Sequence, residues 1–331
     1  MSGRFAPSPT GSLHLGNLRT ALLAWLAARS TGLGFIVRME DLDRVQAAPE
    51  HEAAQLRDLA AIGLDWDSAV VRQSERFDLY RDALAELRSR GLVYECFCSR
   101  REVRAEIENS PNAPHLPPGS YPGTCRHLTS ARRQRFLDDG RKPALRLRAD
   151  ESMGTTDPPE SGATDLIGFT DLVAGRTEGG VDDVVLQRND GVPAYNLAVV
   201  VDDSLQGITQ VVRGDDLLTS TPRQIHLQRL LGLPTPTYAH VPLVMGDDGE
   251  RLSKRHGSVS LEELRSAGAT VEAVVGELLA SSAVEIDVSH DLTRSLRAAA
   301  ASFDVSTVTR SPVEYQPDVE ADATFSLRNT V

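Results

Sequence analysis

Over the first 90 residues, short apolar runs alternate with longer helix-like segments. The short runs suit buried strands and cover residues 4–7 and 35–40; the second is rich in β-branched and aromatic side chains. The longer segments have the apolar spacing or the Leu and Ala content of helices and cover residues 18–29, 48–62 and 75–90. Because strands and helices take turns in this order, the pattern predicts a parallel α/β sheet.

The regular pattern breaks after Tyr94. Residues 110–119 and 151–164 are rich in Pro, Gly and polar side chains, which predicts irregular structure. Between them, residues 144–148 alternate apolar and basic side chains, as a half-exposed strand does. We therefore expect a segment of different character to interrupt the α/β pattern.

Apolar segments resume in the second half of the chain. Residues 184–188 and 197–201 predict strand or core segments. A hydroxyl cap followed by Pro222 predicts a helix that ends near Gly232. Ser260 and Glu263 form a capping-box pair that begins another helix. Beyond about residue 288 the pattern weakens, and the last twenty residues are polar and acidic.

The composition is that of an ordinary globular protein. The chain has 331 residues, 40% hydrophobic and 25% charged, which suits two or three domains. Since no apolar run approaches the roughly 20 residues of a membrane helix and no basic leader begins the chain, we expect neither a membrane partner nor a secretory signal. Three cysteines are too few for a disulfide scaffold and predict a cytoplasmic location.

The net charge of −12 is unevenly distributed. Residues 96–150 carry eleven Lys and Arg against six Asp and Glu, a local charge of +5. Residues 261–331 carry five Arg against twelve acids, a local charge of −7. Because a polyanion needs only a local basic patch, the first region is a candidate for RNA contact, although both regions could be solvated faces.

A Gly- and Pro-rich loop near the start leads into the first apolar helix. A helix N-terminus offers unpaired N–H groups and a partial positive charge, which suit a phosphate. Gly11 and Gly16 allow close approach of the backbone to a ligand, and His14 and Asn17 can donate to phosphate oxygens. The alternative is a capped turn in which His14 is satisfied locally.

This loop and a second segment, far along the chain, each resemble a motif of a known family. Residues 4–11 with 14–17 resemble the first ATP-binding motif of class I aminoacyl-tRNA synthetases of the glutamyl type, with Asn17 where many members have a second His. Residues 251–255, Arg-Leu-Ser-Lys-Arg, resemble the second motif, with Leu for the usual Met and Arg for the usual final Ser. The resemblance implies a Rossmann-like catalytic domain that uses Mg²⁺ with ATP. It assigns ATP binding to His14, Gly16, Asn17 and Lys254, and catalysis to His14, Asn17 and Lys254.

The lysine of the second motif has a clear chemical use. Adenylate formation moves negative charge onto the departing pyrophosphate, and a mobile cation there stabilises the transition state more than the ground state. Lys254 is one of only two lysines, beside Lys142, in a chain with 35 Lys and Arg together. Standing alone, the segment could equally be a surface turn.

An amino-acid pocket is expected between the two motifs. Three acids follow the predicted strand at 35–40, where ligands bind in open parallel sheets, although they could also cap the next element. An amino acid needs a carboxylate for its ammonium group, and a glutamate needs cations, preferably Arg, for its carboxylates. The resemblance places glutamate against Arg4, Phe5, Ala6, Pro7, Ser8, Glu40, Tyr195 and Arg213. Tyr195 by itself could be a half-buried core residue.

All three cysteines lie in the irregular segment. Cys96 and Cys98, followed by Cys125, can supply three thiolates of a tetrahedral zinc site, although they could also be small buried apolar residues. The fourth ligand is open: imidazole is the commoner zinc donor, which favours His127. Resemblance to the Cys-x-Cys…Tyr-x-x-x-Cys site of the glutamyl-queuosine tRNA(Asp) synthetases favours Tyr121, which we choose. We expect one structural zinc ion per chain.

The resemblance covers about residues 3–285 and also implies an acceptor. Only about 75 residues follow Gly257, too few for the helical anticodon-binding region of full-length glutamyl-tRNA synthetases. We therefore expect a member of the glutamyl-queuosine tRNA(Asp) synthetase family, which activates L-glutamate with ATP and transfers it to queuosine in the anticodon loop of tRNA(Asp). The alternatives are a minimal glutamyl-tRNA synthetase that charges the 3′ end and a non-catalytic nucleotide- or amino-acid-binding paralogue.

The expected organisation has four parts. Residues 1–94 form the first half of a Rossmann-like catalytic domain, and 95–185 form an insertion with the zinc site and an RNA-contact surface. Residues 186–258 complete the catalytic domain with the lysine loop, and 259–331 form a short helical region with an acidic tail. We expect the protein to act as a monomer.

Overall fold

A computed structural model describes residues 1–109, 119–149, 166–252, 260–284, 286, 288–317 and 325–329. Its strands are β1 (Ser2–Phe5), β2 (Gly34–Met39), β3 (Val71–Arg72), β4 (Val93–Cys96), β5 (Ala144–Leu147), β6 (Ile167–Asp171), β7 (Gly175–Gly179), β8 (Val185–Gln187), β9 (Ile208–Gly214), β10 (Thr237–Val241), β11 (Val244–Met245), β12 (Val313–Pro317) and β13 (Phe325–Asn329). Its helices are α1 (Leu15–Ser30), α2 (Pro49–Ala61), α3 (Phe77–Ser89), α4 (Arg100–Asn109), α5 (Ser130–Asp138), α6 (Tyr195–Leu205), α7 (Thr221–Leu230), α8 (Leu261–Ser266), α9 (Val271–Ala280) and α10 (Leu292–Ser302).

The central sheet confirms the predicted parallel α/β fold. Its strand order is β3-β2-β1-β9-β10-β6-β7, and every neighbouring pair is parallel except the β6–β7 hairpin at the edge. The chain order of the strands reverses between β1 and β9, so their carboxyl ends frame a crevice. Open parallel sheets bind ligands at such a point.

Helix α1 lies at the centre of the main core. Eleven of its sixteen residues are buried, and Trp25 is fully inaccessible. Because the helix is apolar on nearly all sides, it can pack against the sheet and the C-terminal helices at once. One buried cation, Arg19, also connects α1 to later parts of the chain. It donates to the carbonyl of Pro242 at 2.9 Å and to the hydroxyl of Ser281 at 3.1 Å. These contacts hold the start of α1 against the chain that leads to the lysine loop.

A second sheet occupies the irregular segment. Strands β4, β5 and β8 pair antiparallel, and β4 begins at Val93, beside the expected boundary at residue 94. The β6–β7 hairpin, which we assigned to the insertion, instead extends the central sheet through a parallel contact of Asp171 with Tyr238. The exact limits of the four expected parts stay predictions.

The C-terminal region combines helices with a small sheet. Helices α8 to α10 pack on the main core, and the capping box of Ser260 and Glu263 is confirmed at the start of α8. Within the polar, acidic end of the chain, β12 and β13 pair antiparallel, and the side chains of Phe325 and Leu327 are buried. This region is therefore not purely helical. The described part of the chain has no helix with the length and apolarity of a membrane span.

Candidate active site

A cleft of about 660 Å³ opens at the carboxyl ends of β1, β2 and β9. Except for Lys254, every residue predicted to bind glutamate or ATP lines it: Arg4, Phe5, Ala6, Pro7, Ser8, His14, Gly16, Asn17, Glu40, Tyr195 and Arg213. These residues come from parts of the sequence up to 209 positions apart (4 to 213). Their convergence in one cleft is the main structural result.

Lys254 lies outside the described residues, but both flanks of its loop are anchored at the cleft. Arg251 lines the cleft and pairs with Asp216, Nη1 to Oδ2 at 2.7 Å. On the other side, the backbone of Ser260 forms an antiparallel bridge with His14. The described residues before and after this loop therefore both lie beside the cleft.

His14 is the N-cap of α1, which begins at Leu15, three residues earlier than the helical pattern indicates. Its Nδ1 accepts the backbone N–H of Asn17 at 3.3 Å, and Oδ1 of Asn17 accepts the backbone N–H of His14 at 3.2 Å. Burial, assisted by the charge of Arg251, lowers the pKa of His14 to about 4. Because the neutral ring accepts through Nδ1, its proton lies on Nε2.

The local-cap and ligand interpretations of His14 are therefore compatible. The capping bond uses Nδ1 and leaves Nε2–H as a donor at the cleft. A Cβ on Gly16 would stand 3.0 Å from the His14 ring, so the glycine there makes room for the imidazole. Gly11, in contrast, has open space where a Cβ would be, as close approach by a ligand requires.

Gln55 of α2 holds the loop between β1 and α1. Its Nε2 donates to the carbonyls of Ser8 at 3.0 Å and Gly11 at 2.7 Å. The side chain is 2% exposed and lines the cleft, and no hydrogen-bond partner of its Oε1 is found among the described residues. No motif or periodicity in the sequence pointed to this contact.

Two arginines supply positive charge to the inner end of the cleft. Arg213 is 5% exposed, with hydrogen bonds to Gln224 and Thr221 at 2.8 Å each. Its Nη1 lies 3.5 Å from the phenol oxygen of Tyr195. Arg4 is 4% exposed, and its nearest ionic partner in the described chain is Asp203, at 3.5 Å. Both guanidinium groups therefore keep donors for an anionic ligand.

Glu40 gives the same cleft a carboxylate. It follows β2 directly, and its Oε1 accepts from Nη2 of the fully buried Arg38 at 3.2 Å. Burial raises the pKa of Glu40, and the guanidinium groups of Arg38 and Arg4 oppose this rise. A bound ammonium group would favour the charged carboxylate further.

The other two acids after β2 accept hydrogen bonds from the protein backbone. Asp41 accepts the backbone N–H of Ser74 at 2.8 Å, and Asp43 accepts that of Val45 at 3.2 Å. Neither acid caps α2, whose N-cap is Ala48 without a side-chain hydrogen bond, and of the three acids only Glu40 lines the cleft.

The three cysteines and Tyr121 form a cluster away from the cleft. The sulfurs of Cys96, Cys98 and Cys125 all lie within 4.8 Å of one another. The Tyr121 hydroxyl is 3.4 Å from both Cys96 and Cys98 and accepts the backbone N–H of Cys125 at 2.9 Å. Zinc–sulfur bonds of about 2.3 Å place tetrahedral sulfurs about 3.8 Å apart, so the donor set fits a zinc ion.

The alternative fourth ligand, His127, is exposed and outside this cluster. The group of metal-ligating side chains found in the described residues comprises the three cysteines only. Arg146 stacks on the Tyr121 ring, with its guanidinium carbon 3.8 Å from the ring centre. The geometry thus brings Tyr121, rather than His127, to the sulfurs.

The chain is similar to known proteins over most of its length. Residues 1–285 match the family described as tRNA synthetases class I (E and Q), catalytic domain. Over 277 residues the chain is 56% identical to the Glutamyl-Q tRNA(Asp) synthetase of Nocardia farcinica, covering 84% of this chain and 83% of that protein. It is 43% identical over 279 residues to the Glutamate–tRNA ligase of Geobacter sulfurreducens, covering 83% of this chain and 56% of that one.

A solved structure shows the same architecture. The crystal structure of a glutamate tRNA ligase from Elizabethkingia meningosepticum, in complex with its amino acid, superposes with a TM-score of 0.75 at 28% identity. The match covers 94% of this chain and 66% of that one, so the chain spans slightly less than two thirds of the solved protein.

Proposed function

Because the chain belongs to the class I tRNA synthetases of the glutamate and glutamine type, we propose that it activates L-glutamate with ATP and transfers it to the queuosine base of tRNA(Asp). The observation that supports glutamate activation is the convergence of two arginines and one carboxylate beside the start of α1. Glutamate has two carboxylates and one ammonium group, and this charge pattern complements it.

Arg4 and Arg213 receive the carboxylates of glutamate, and Glu40 receives its ammonium group. The donors that remain on both arginines face a cleft that Phe5, Pro7 and Tyr195 also line. Since these groups are buried and held by protein partners before the ligand arrives, little orientational freedom is lost on binding.

ATP lies across the N-terminus of α1. Free backbone N–H groups, the Nε2–H of His14 and the amide of Asn17 contact its phosphates or ribose, and Lys254 follows the departing pyrophosphate. Mg²⁺, bound with ATP, neutralises part of the phosphate charge. The glutamate carboxylate attacks the α-phosphorus, the bond to the β-phosphate oxygen breaks, and pyrophosphate leaves.

The second step is supported by the comparison. The relative that shares 56% identity is named for queuosine-bearing tRNA(Asp), whereas the glutamate–tRNA ligase shares 43%. A hydroxyl of the queuosine cyclopentene ring attacks the carbonyl of the mixed anhydride and releases AMP. Neither step needs a covalent enzyme intermediate, so catalysis rests on positioning and charge stabilisation.

The RNA-contact surface lies on the insertion. Helix α5 has no buried residue and carries Arg132, Arg133 and Arg135. Arg133 pairs with Glu95 at 2.5 Å, whereas the described residues offer Arg132 and Arg135 no acidic partner. These two cations are available for phosphate groups, so their removal should weaken RNA binding and reduce its salt dependence.

The irregular segment binds one structural zinc ion. Cys96, Cys98, Tyr121 and Cys125 hold it, which leaves no open position for catalysis. When bound, the metal supplies a cross-link between β4 and the loop before α5. The protein acts as a monomer in this account.

The test is ATP–pyrophosphate exchange followed by transfer. We expect exchange that depends on glutamate and needs no tRNA, and labelled glutamate on tRNA(Asp) with queuosine but not on tRNA(Asp) without it. Label on tRNA(Glu), and none on the modified tRNA, would instead identify a minimal glutamyl-tRNA synthetase. A folded protein without exchange would identify a non-catalytic paralogue.

A further inference from the structure

Arg213 is oriented by a histidine that the proposed chemistry does not use. The Nε of Arg213 donates to Nε2 of His240 at 3.0 Å. Together with the bonds to Gln224 and Thr221, this contact gives each guanidinium nitrogen a close acceptor, and Nη1 has a second, longer one in the Tyr195 hydroxyl. Among the described residues this leaves one N–H of Nη2 without an acceptor, and the weak bond to Tyr195 can give way to a ligand in the cleft, which Arg213 lines although it is 5% exposed.

Three side chains face the ring nitrogens of His240: Arg213 and Thr221 contact Nε2 at 3.0 and 3.1 Å, and Asp171 contacts Nδ1. An arginine can only donate, so Nε2 must accept and the proton of the ring must be on Nδ1. That proton faces Oδ2 of Asp171 at 2.6 Å, and neither side chain is exposed to solvent. Burial lowers the pKa of His240, which agrees with a neutral ring.

Asp171 is itself held in one orientation. Its Oδ1 accepts the backbone N–H groups of Val173 at 2.9 Å, Ala174 at 2.8 Å and His240 at 3.1 Å. Because the backbone occupies Oδ1, Oδ2 is the oxygen presented to the imidazole. The residue ends β6, in the hairpin that joins the central sheet beside β10.

We propose that Asp171 and His240 are positioning residues that fix the guanidinium of Arg213 for a carboxylate of glutamate. Asp171 sets the tautomer of His240, and His240 in turn accepts from the Nε of Arg213. The inference rests on the proposed function, since it takes glutamate as the ligand of Arg213. It assigns a role in the amino-acid site to the β6–β7 hairpin, far along the chain from both ATP motifs.

The substitution Asp171→Asn tests the Asp171–His240 pair, because it removes the charge and leaves the shape of the side chain almost unchanged. The three backbone N–H groups should keep the amide oxygen at the Oδ1 position and turn the NH₂ group toward Nδ1. His240 must then carry its proton on Nε2, where the Thr221 hydroxyl can accept it while the Nε–H of Arg213 loses its acceptor. Loss of one charge-assisted hydrogen bond predicts a rise of about 10- to 100-fold in the KM for glutamate, with the KM for ATP unchanged.

Asp183→Asn is the matched control. Asp183 is a fully buried carboxylate that accepts from Tyr94 and Arg126 in the second sheet, away from the cleft. It loses the same charge in a comparable setting, and its glutamate KM in exchange should stay at the wild-type value. An Asp171→Asn protein with a glutamate KM no higher than this control, or with an equal rise in the KM for ATP, would overturn the proposal.

Substitutions of His240 keep the proposal testable if Asp171→Asn folds poorly. His240→Gln can place an amide oxygen near the former Nε2, whereas His240→Phe keeps a ring without an acceptor. The glutamate KM should therefore rise more for Phe than for Gln. Equal values for the two variants would contradict a role for the acceptor atom.

A spectroscopic measurement separates this pair from the proposed function. In ¹⁵N-histidine NMR spectra, His240 should carry its proton on Nδ1 in the wild type and on Nε2 in Asp171→Asn. An unchanged tautomer would refute the pair whatever the enzyme does. A changed tautomer in a protein without glutamate-dependent exchange would instead refute the proposed function, while the control of the His240 tautomer by Asp171 would be confirmed.

Discussion

Gln55→Met should weaken ATP binding while the fold stays intact. The substitution keeps the length and apolar body of the side chain but removes its two hydrogen bonds to the carbonyls of Ser8 and Gly11. These bonds tie α2 to the loop that leads into α1. Without them, the loop must be ordered by ATP itself.

The size of the effect follows from the contacts. Two hydrogen bonds with a net contribution of about 0.5 to 1.5 kcal/mol each amount to about 1 to 3 kcal/mol. Methionine also removes the buried Oε1 of Gln55, for which the described residues offer no partner, and removing an unpaired polar atom is favourable. The partial offset leaves about 1 to 2 kcal/mol, which corresponds to a rise of about 5- to 30-fold in the KM for ATP.

The assay is ATP–pyrophosphate exchange at saturating glutamate, with thermal unfolding measured beside it. Gln187→Met is the control, since Gln187 also donates from Nε2 to a backbone carbonyl, that of Gly191 at 3.0 Å, but lies outside the cleft. If both variants show the same KM for ATP, the loop does not depend on Gln55 and the reasoning fails.

Three further predictions concern the lysine loop, the metal and the pH dependence. Lys254→Ala should remove most exchange with less effect on glutamate binding, whereas Lys142→Ala, which changes the only other lysine, should leave exchange unaltered. Tyr121→Phe should lose zinc to a chelator about tenfold faster than wild type, and His127→Ala at the wild-type rate, as metal analysis over time would show. His14 has a pKa of about 4 when folded against 6.5 ordinarily, so its stabilising contribution is complete above pH 6.5 and is lost as the pH falls toward 4. His14→Gln should therefore reduce the slope of unfolding free energy against pH in that window, by at most about 1.4 kcal/mol per pH unit; an unchanged slope would contradict the assigned pKa.

The sequence was sufficient for the parts of the fold and site that rest on local pattern. The strand at 35–40 and the helices at 48–62 and 75–90 correspond to β2, α2 and α3 within one or two residues. Arg4, Glu40, Tyr195 and Arg213 could be placed together because motif resemblance carries spatial information that periodicity lacks.

Local pattern did not predict the start of α1, which depends on a side-chain cap, or the helical state of a run without hydrophobic periodicity. Helix α1 begins at Leu15 because His14 and Asn17 cap each other, which moves its start ahead of the first periodic residues. Residues 197–201 are buried core, one of the two predicted alternatives, but belong to α6 and not to a strand, because a short run that is apolar throughout has no period to distinguish helix from strand.

The supporting contacts of the site were beyond sequence reasoning. His240 and Asp171 are 69 positions apart, and Gln55 lies 44 positions from Gly11, so only the folded sheet brings each pair together. A lone histidine in a strand and a lone glutamine on a helix are ordinary in sequence. Their roles become visible only when hydrogen-bond partners are assigned.

The most direct test of the central claim is the position of glutamate on the RNA after reaction. Queuosine-bearing tRNA(Asp) would be incubated with the protein, ATP and labelled glutamate, then digested to nucleosides and separated. The account predicts the label on queuosine. Label on the 3′-terminal adenosine, with the queuosine unmodified, would contradict it.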